Sequence, residues 1–360
     1  MIIATCSRGL EEIASKEAKE ITGSEAGKEG NGLIYVKASW KKAFRLNYMA
    51  KTMNRIILLL SRGSFTRLEE LYKVARNIDY GFIESKQRFA VRFSRHGKHD
   101  FTSMDAERIV GQAIIDSYME SYGKRLKVNL EEPDVMIRGF IKENKYWLGI
   151  DTTGDSLHKR GYRAYQHPAP LQTTIANALI RMAGWDEKQS LYDPCCGSGT
   201  IPIEAYLYGN KVPNKWRWQS FLIWNLSVFE QDRLLEEKLS IDGMERNDEL
   251  KLYGSDISPK HIEGARKNAA RAGAKIKFFV EDVAKTSFDY DIIITNPPYG
   301  KRVSSLRAAS KINSILEEKI LNASCKKAII FTAEQSNLKN YDRKIPILYG
   351  KLWTYAFIYE

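Results

Sequence analysis

Near residue 290 the chain runs Ile292-Ile293-Ile294-Thr295 and then stops at Asn296-Pro297-Pro298-Tyr299-Gly300. A short run of β-favouring residues with no polar alternation reads as a central strand buried on both faces. Two prolines end it, because neither can donate a ladder hydrogen bond. Buried strands of this kind belong to open α/β sheets, whose ligands bind beyond the carboxyl ends of the strands. Asn296 stands at such an end.

The surrounding pattern extends that constraint. From about residue 170 strands and helices alternate: a helix in Leu171–Gly184, strand-like segments in Ser190–Thr200, Lys251–Ser258, Ile276–Val283 and Lys326–Glu334, and helices between them. That alternation predicts a doubly wound, mainly parallel sheet. Lys344–Glu360 reads as two strands around Gly350, a hairpin added at the end. Before residue 150 the pattern is different. A first α+β unit carries strands at Ile2–Cys6, Gly32–Ala38 and Arg55–Gly63, and a second carries strands at Arg88–Arg95, Asp134–Ile141 and Lys145–Thr153 around a helix from Ser103. The expected division is 1–62, 63–151, a linker over 152–168 rich in Gly and Pro, and 169–360. No internal repeat or low-complexity segment interrupts it.

Charge narrows the partner. The chain carries a formal +12 with a pI near 9.3, and residues 51–100 alone hold 11 Lys or Arg against 5 Asp or Glu. Such an excess points to a polyanion, nucleic acid first. Leu157–His167 interleaves Lys159, Arg160 and Arg163 with Tyr162 and Tyr165, cations for phosphates beside rings on which bases stack. No apolar stretch approaches the roughly 18 residues of a membrane span, and the first twenty residues turn charged too early for a signal peptide. A cytoplasmic protein with no membrane association is expected. Cys6, Cys195, Cys196 and Cys325 form neither a disulfide framework nor a zinc spacing, so no metal is expected.

The chemistry-bearing residues fall at successive strand ends. In Asp193-Pro194-Cys195-Cys196-Gly197-Ser198-Gly199-Thr200 the glycines permit a tight turn and close backbone approach to a ligand. It is not a phosphate-binding P-loop, because no Gly-Lys-Ser/Thr follows. Asp256 ends the next strand, where a carboxylate can accept both hydroxyls of a ribose, and Asp282 ends the third, where it can face an adenine edge. Each acid taken alone is also a helix cap, and each glycine a turn. Their order, followed by Asn-Pro-Pro-Tyr, is what carries information.

That order resembles the class I S-adenosylmethionine-dependent methyltransferases, and Asn-Pro-Pro-Tyr resembles their amino-methylating branch. The resemblance implies cofactor contacts from Asp193, Pro194, Gly197, Ser198, Gly199, Asp256, Ile257, Asp282, Val283 and Asn296, with Asn296, Pro297 and Tyr299 in catalysis. His167–Gln172 resembles an additional cofactor-binding motif or, equally, the start of a packing helix. "RFAVRFSRHGKHDFTSMDAERIVGQAI" and "WLGIDTTGDSLHKRGYR" are similar to a THUMP domain and its linker, and the first 60 or so residues to the ferredoxin-like domain that precedes THUMP. The implied fold is a Rossmann-fold methyltransferase behind an α+β ferredoxin-like plus THUMP RNA-binding region. The implied activity is methylation of guanine N2, guanosine 6 of tRNA first, with the N-terminal region on the acceptor stem and 3′ end. Arg92, Arg95, Lys98, Lys159, Arg160 and Arg163 are candidate RNA contacts; Arg160 and Arg163 could instead tether the domains. A monomer is expected.

Alternatives stay open: tRNA guanosine 10, ribosomal RNA guanine, adenine N6, a non-catalytic RNA-binding protein, or a protein methyltransferase. One departure concerns the substrate. About 60 residues separate the Gly-rich turn from Asp256, where roughly 20 are usual. The excess includes Trp216, Trp218, Phe221 and Trp224 and is expected to be local core covering the cofactor site, with a lid or RNA-facing insertion as the second reading.

Overall fold

The computed structural model describes residues 1–299, 306–333 and 337–360. The chain opens with β1 (Ile2–Cys6), α1 (Glu11–Thr22), β2 (Ala26–Gly30), β3 (Leu33–Val36), α2 (Ala43–Met49) and β4 (Met53–Ser64). It continues through α3 (Leu68–Arg76), β5 (Arg88–His96), α4 (Ser103–Tyr122), β6 (Lys127–Val128), β7 (Val135–Lys142) and β8 (Lys145–Asp151). All eight strands join one mixed sheet in the order β2-β3-β1-β4-β8-β7-β5-β6. The boundary expected at residue 62 falls inside β4, which pairs with β1 (Ile2↔Leu58) and with β8 (Ile57↔Asp151). Twelve residues are long enough to bond on both sides, and Ile56, Ile57 and Leu58 are buried in succession. The helix expected from Ser103 is capped by Thr102, whose hydroxyl and amide exchange bonds with Asp105 in a capping box. The short Gly-rich β2 and the amphipathic α3 were not anticipated.

The second half contains α5 (Thr173–Ala183), β9 (Leu191–Asp193), α6 (Thr200–Gly209), α7 (Gln231–Asp242), β10 (Leu252–Asp256), α8 (Pro259–Ala272) and β11 (Lys277–Val280). It ends with β12 (Ile292–Thr295), α9 (Leu306–Leu321), β13 (Lys327–Ala333), β14 (Arg343–Tyr349) and β15 (Leu352–Tyr359). The sheet order is β11-β10-β9-β12-β13-β15-β14, parallel through β13. The hairpin closes it antiparallel, with β15 against β13. Ile292–Thr295 is buried at every position, as its composition requires. The strand order reverses between β9 and β12, so the switch point lies beside Asn296.

The expected role of the 210–248 insertion is corrected by where it packs. Phe221, Ile223, Leu226, Leu234 and Ile241 belong to the core of the N-terminal sheet, together with Phe44 and Tyr48. Trp224 meets Phe44 edge-on at 5.6 Å, Ile223 N donates to Thr152 O at 3.0 Å, and the Tyr48 hydroxyl donates to Asp242 at 2.7 Å. Each such apolar side chain stabilises by about 1.5–3 kcal/mol on burial. The insertion is therefore a strap that binds the C-terminal half to the N-terminal half: Trp218, Phe221 and Trp224 pack on the N-terminal core, while Trp216 packs on the C-terminal one.

The 152–168 segment is packed as well. Arg160 is 2% exposed and pairs with Glu204 of α6 at 3.2 Å. Its guanidinium also donates to the carbonyls of Lys51 at 2.6 Å and Leu157 at 2.9 Å. Glu17 accepts from the amides of Lys51 and Thr52 and pairs with Arg181 at 3.2 Å. A buried charge persists only when paired and hydrogen-bonded. This network fulfils that condition across the junction.

Candidate active site

Four strand ends converge on one edge of the catalytic sheet. β9 delivers Asp193, which is 2% exposed. Its Oδ1 accepts from the Thr295 hydroxyl at 2.8 Å and from Cys195 N at 3.1 Å. Burial pushes the carboxyl up to about 7, against the downward pull of those two hydrogen bonds. Asp193 thus stitches the Gly-rich turn to the strand that carries Asn296. Pro194 and Ser198 are buried within the turn. Ser255 Oγ donates to the Pro194 carbonyl at 3.4 Å, and Asn268 Nδ2 donates to the Ser198 carbonyl at 3.1 Å. Burial raises both the Cys195 and Cys196 thiols, which suits small packing residues and not nucleophiles.

The turn needs its glycines. Gly199 has φ +77°, and a Cβ there would fall 2.9 Å from Phe278 and 3.1 Å from Ala265. Gly197 has φ +51° and donates its amide to Asp256 Oδ2 at 3.1 Å. Asp256 Oδ1 accepts from Ser258 N at 2.8 Å, so β10's terminal carboxylate is held between the turn and the start of α8. Ile257 next to it is 68% exposed. An apolar side chain left open beside a fixed carboxylate fits the face of a heteroaromatic base next to its ribose. Asp282 is half-buried and accepts from Ala284 N at 3.0 Å. Val283, in contrast, turns its side chain inward, into a cluster with Tyr192 and Phe288.

At the end of β12, Asn296 Oδ1 is buried and has no hydrogen-bond partner among the described residues. A buried acceptor left open in this way calls for a ligand donor. Pro297 is buried beside it, and Tyr299 is half-buried with its phenol raised by burial. Gly300, the last residue of the motif, lies outside the described residues.

His167 completes the near wall. A Cβ on Gly197 would sit 3.5 Å from its imidazole, and its Nδ1 accepts from Ala169 N at 3.1 Å. Burial lowers its affinity for a proton, and His261 reinforces the effect, ring to ring at 4.3 Å. His261 Nδ1 lies 3.4 Å from Asp256 Oδ1. Sequence reasoning missed His261: it lies in the first turn of α8, and nothing local marks it.

The expected RNA contacts separate into two groups. Lys98 and Lys159 are exposed, Lys159 pairing with Asp155 at 3.1 Å. Arg92 reaches Glu107 at 3.4 Å and the Leu130 carbonyl at 2.8 Å, while Arg95 donates to Gly97 O and faces His99. Arg160 is corrected: sealed against Glu204 and main-chain carbonyls, it tethers the two halves and offers no group to a phosphate. Arg163 also turns inward, to the Leu171 carbonyl and the Thr200 hydroxyl.

Fold and site together define a class I methyltransferase joined to an α+β N-terminal region. Residues 160–346 match the RMKL-like methyltransferase domain model, 65–151 the THUMP domain and 1–57 the RlmL ferredoxin-like domain. The chain is 42% identical over 313 residues to a tRNA (guanine(6)-N2)-methyltransferase of Archaeoglobus fulgidus, covering 86% of this chain and 76% of that one. A protein of the same description from Methanocaldococcus jannaschii is 36% identical over 98% of both chains. The ribosomal RNA large subunit methyltransferase K/L of Ectopseudomonas mendocina is 30% identical over 89% of this chain but 46% of its own length. Among solved structures, a possible methylase from Clostridium difficile 630 superposes with a TM-score of 0.88 at 28% identity, over 99% of this chain and 97% of that chain. The chain belongs to the RMKL-like methyltransferase family, in its THUMP-containing form.

Proposed function

We propose that the chain methylates the exocyclic N2 of guanosine 6 in tRNA, using S-adenosylmethionine, in the cytoplasm. The observation that carries the chemistry is the open Asn296 acceptor at the switch point. The kinship with two tRNA (guanine(6)-N2)-methyltransferases supports the base and the RNA. The THUMP and ferredoxin-like region supports a grip on the acceptor stem and 3′ end, with Lys98 and Lys159 as exposed cations.

The residues fit the cofactor. Asp256 would hold the ribose hydroxyls, Ile257 and Asp282 the adenine, and the Gly197–Gly199 turn its closest backbone approach. Bound there, S-adenosylmethionine supplies an electrophilic methyl group on a sulfonium. The chain's part is to prepare the nucleophile. An exocyclic guanine amine is weak because its lone pair is delocalised into the ring. Asn296 Oδ1 and the Pro297 carbonyl each accept one N–H, which favours a pyramidal nitrogen with its lone pair directed away from both. Pro297 and Pro298 stiffen that acceptor pair, and Tyr299 stacks on the flipped base. Asp193, anchored to Thr295, keeps the acceptor strand in register with the cofactor turn.

Methyl transfer from radiolabelled S-adenosylmethionine to unmodified total tRNA and to ribosomal RNA, followed by nucleoside mass spectrometry, tests the reading. N2-methylguanosine in tRNA at position 6 is the expected product. Label confined to ribosomal RNA would replace the substrate, and N6-methyladenosine would replace the base. The ribosomal alternative is kept because of the K/L relatives, of whose length the chain spans less than half.

A further inference from the structure

The turn after β1 reaches the free edge of the catalytic sheet. Leu348 N donates to the Arg8 carbonyl at 2.9 Å. A Cβ on Gly9, which has φ +98°, would fall 2.0 Å from the Pro346 carbonyl oxygen, so the two backbones lie flush. Leu348 is the cross-strand partner of Trp353. Arg8 extends across β14 and sets its guanidinium carbon 5.1 Å from the Trp353 ring centroid. Trp353 is nevertheless 36% exposed and Leu352 49% exposed. Arg8 and Lys351 are exposed beside them. No carboxylate lies between Tyr349 and Thr354.

Register places this hairpin tip on the reactive side of the sheet. Thr295 pairs with Ile330 and Ile330 with Phe357, so Asn296 is level with Ala356. Trp353 lies three residues beyond that level, toward the carboxyl ends of the parallel strands. It is also two strands over from β12. Strand spacing and rise put it roughly 10 Å to the side of Asn296 and roughly 10 Å above it. A tryptophan and two cations held open at that position, in a chain of net charge +12, match an RNA strand and not an apolar protein partner.

We propose that Arg8 and Trp353, with Lys351, form a stacking platform for the RNA nucleotides next to the target guanosine. The proposal rests on the RNA reading of the active site. Extracting a base from a stem leaves its neighbours unstacked. The Trp353 ring and the Arg8 guanidinium replace the lost stacking, and Lys351 meets the adjoining phosphate. Because Arg8 belongs to the N-terminal region and Trp353 to the catalytic half, the platform joins the RNA-gripping surface to the pocket.

Methyl transfer to tRNA transcripts by the full chain, with Trp353→Ala, Trp353→Phe and Arg8→Ala, tests the platform. Base–aromatic stacking is worth ≈ 1–3 kcal/mol per base, which converts to a rise in KM for RNA of roughly 5- to 150-fold in Trp353→Ala. The kcat, the Kd for S-adenosylhomocysteine and the melting temperature should stay as in the wild type, and Trp353→Phe should recover most of the loss. Photo-crosslinking should join RNA to the peptide containing Lys351–Trp353. An unchanged KM in both alanine variants of an enzyme that does methylate RNA overturns the platform and leaves the active-site reading standing. A KM loss accompanied by equal losses in cofactor analogue affinity and melting temperature makes the pair a structural strut and likewise overturns it. Absence of RNA methylation by the wild type removes both.

Discussion

The junction between the halves and the strand ends of the C-terminal sheet both bury polar groups, and they differ in that one strand-end acceptor is left open. At the junction between the halves, Arg160, Glu204, Glu17, Lys51 and Asn214 are buried, and they bond to one another and to nearby backbone. Asn214 Nδ2 donates to the carbonyls of Asn47 and Ala50, and its Oδ1 accepts from Lys51 Nζ at 3.1 Å. At the strand ends Asn296 Oδ1 is buried with no such partner among the described residues. A satisfied network rigidifies, whereas an open acceptor costs stability until a ligand fills it. The difference teaches that the junction fixes the geometry of the two halves, whereas the strand end is free to meet a ligand, which is where the proposed chemistry falls.

The sharpest way to break the contrast is to attack the junction. Glu204→Ala leaves the Arg160 guanidinium buried without its carboxylate and should cost about 3–5 kcal/mol, read as a lowered denaturation midpoint. A double replacement by apolar residues of similar volume should recover much of that. If Glu204→Ala were harmless, the junction would be wet and its rigidity misjudged. Asn296→Ala should behave in the opposite way. Loss of one preorganised polar contact to the reacting group costs ≈ 10²–10³ in rate, while the melting temperature stays level or rises, since the Asn296 Oδ1 acceptor has no hydrogen bond to lose among the described residues. Single-turnover kinetics and a thermal melt on the same sample decide it.

Smaller effects sharpen the comparison. Gly199→Ala meets both a left-handed backbone and a Phe278 contact at 2.9 Å, whereas Gly197→Ala meets the backbone cost with His167 at an ordinary 3.5 Å. Left-handed strain costs roughly 1–2 kcal/mol in each, so Gly199→Ala should lose more stability and more affinity for S-adenosylhomocysteine by calorimetry. Lys51→Met probes the junction's charge. Burial, reinforced by Arg160, pushes the Lys51 ammonium down to about 7. Between that value and the unfolded value near 10.4 the unfolded chain binds a proton that the folded chain does not, so this group makes stability rise with pH. Lys51→Met should therefore exceed the wild type by on the order of 1 kcal/mol at pH 6, and the gap should close toward pH 10. Denaturation midpoints at the two values check the sign.

The sequence was most legible where structure is local. The turn through Gly197 and Gly199, the four-residue strand before Asn296 and the cap at Thr102 follow from backbone sterics and hydrogen-bond accounting over a few residues. So do the alternation of the second half and the closing hairpin. The amphipathic α3 carries a local signal as well, in Leu68, Leu71, Tyr72 and Ala75. β2 carried almost none, being Ala-Gly-Lys-Glu-Gly, and it exists because β3 offers it an edge.

By itself, then, the sequence determined the class of sheet, the order of acids and glycines along its strand ends, and the buried strand that stops at Asn296-Pro297-Pro298. Those features need only neighbouring residues. The tertiary structure alone decided that β4 is shared by two modules and that the aromatic insertion straps the halves together. It also decided that Arg160 is a buried tether, that His261 faces His167, and that Arg8 lies over Trp353. Each depends on residues brought together from distant parts of the chain. Apolar and charged side chains state that they need a partner, but only packing names which one.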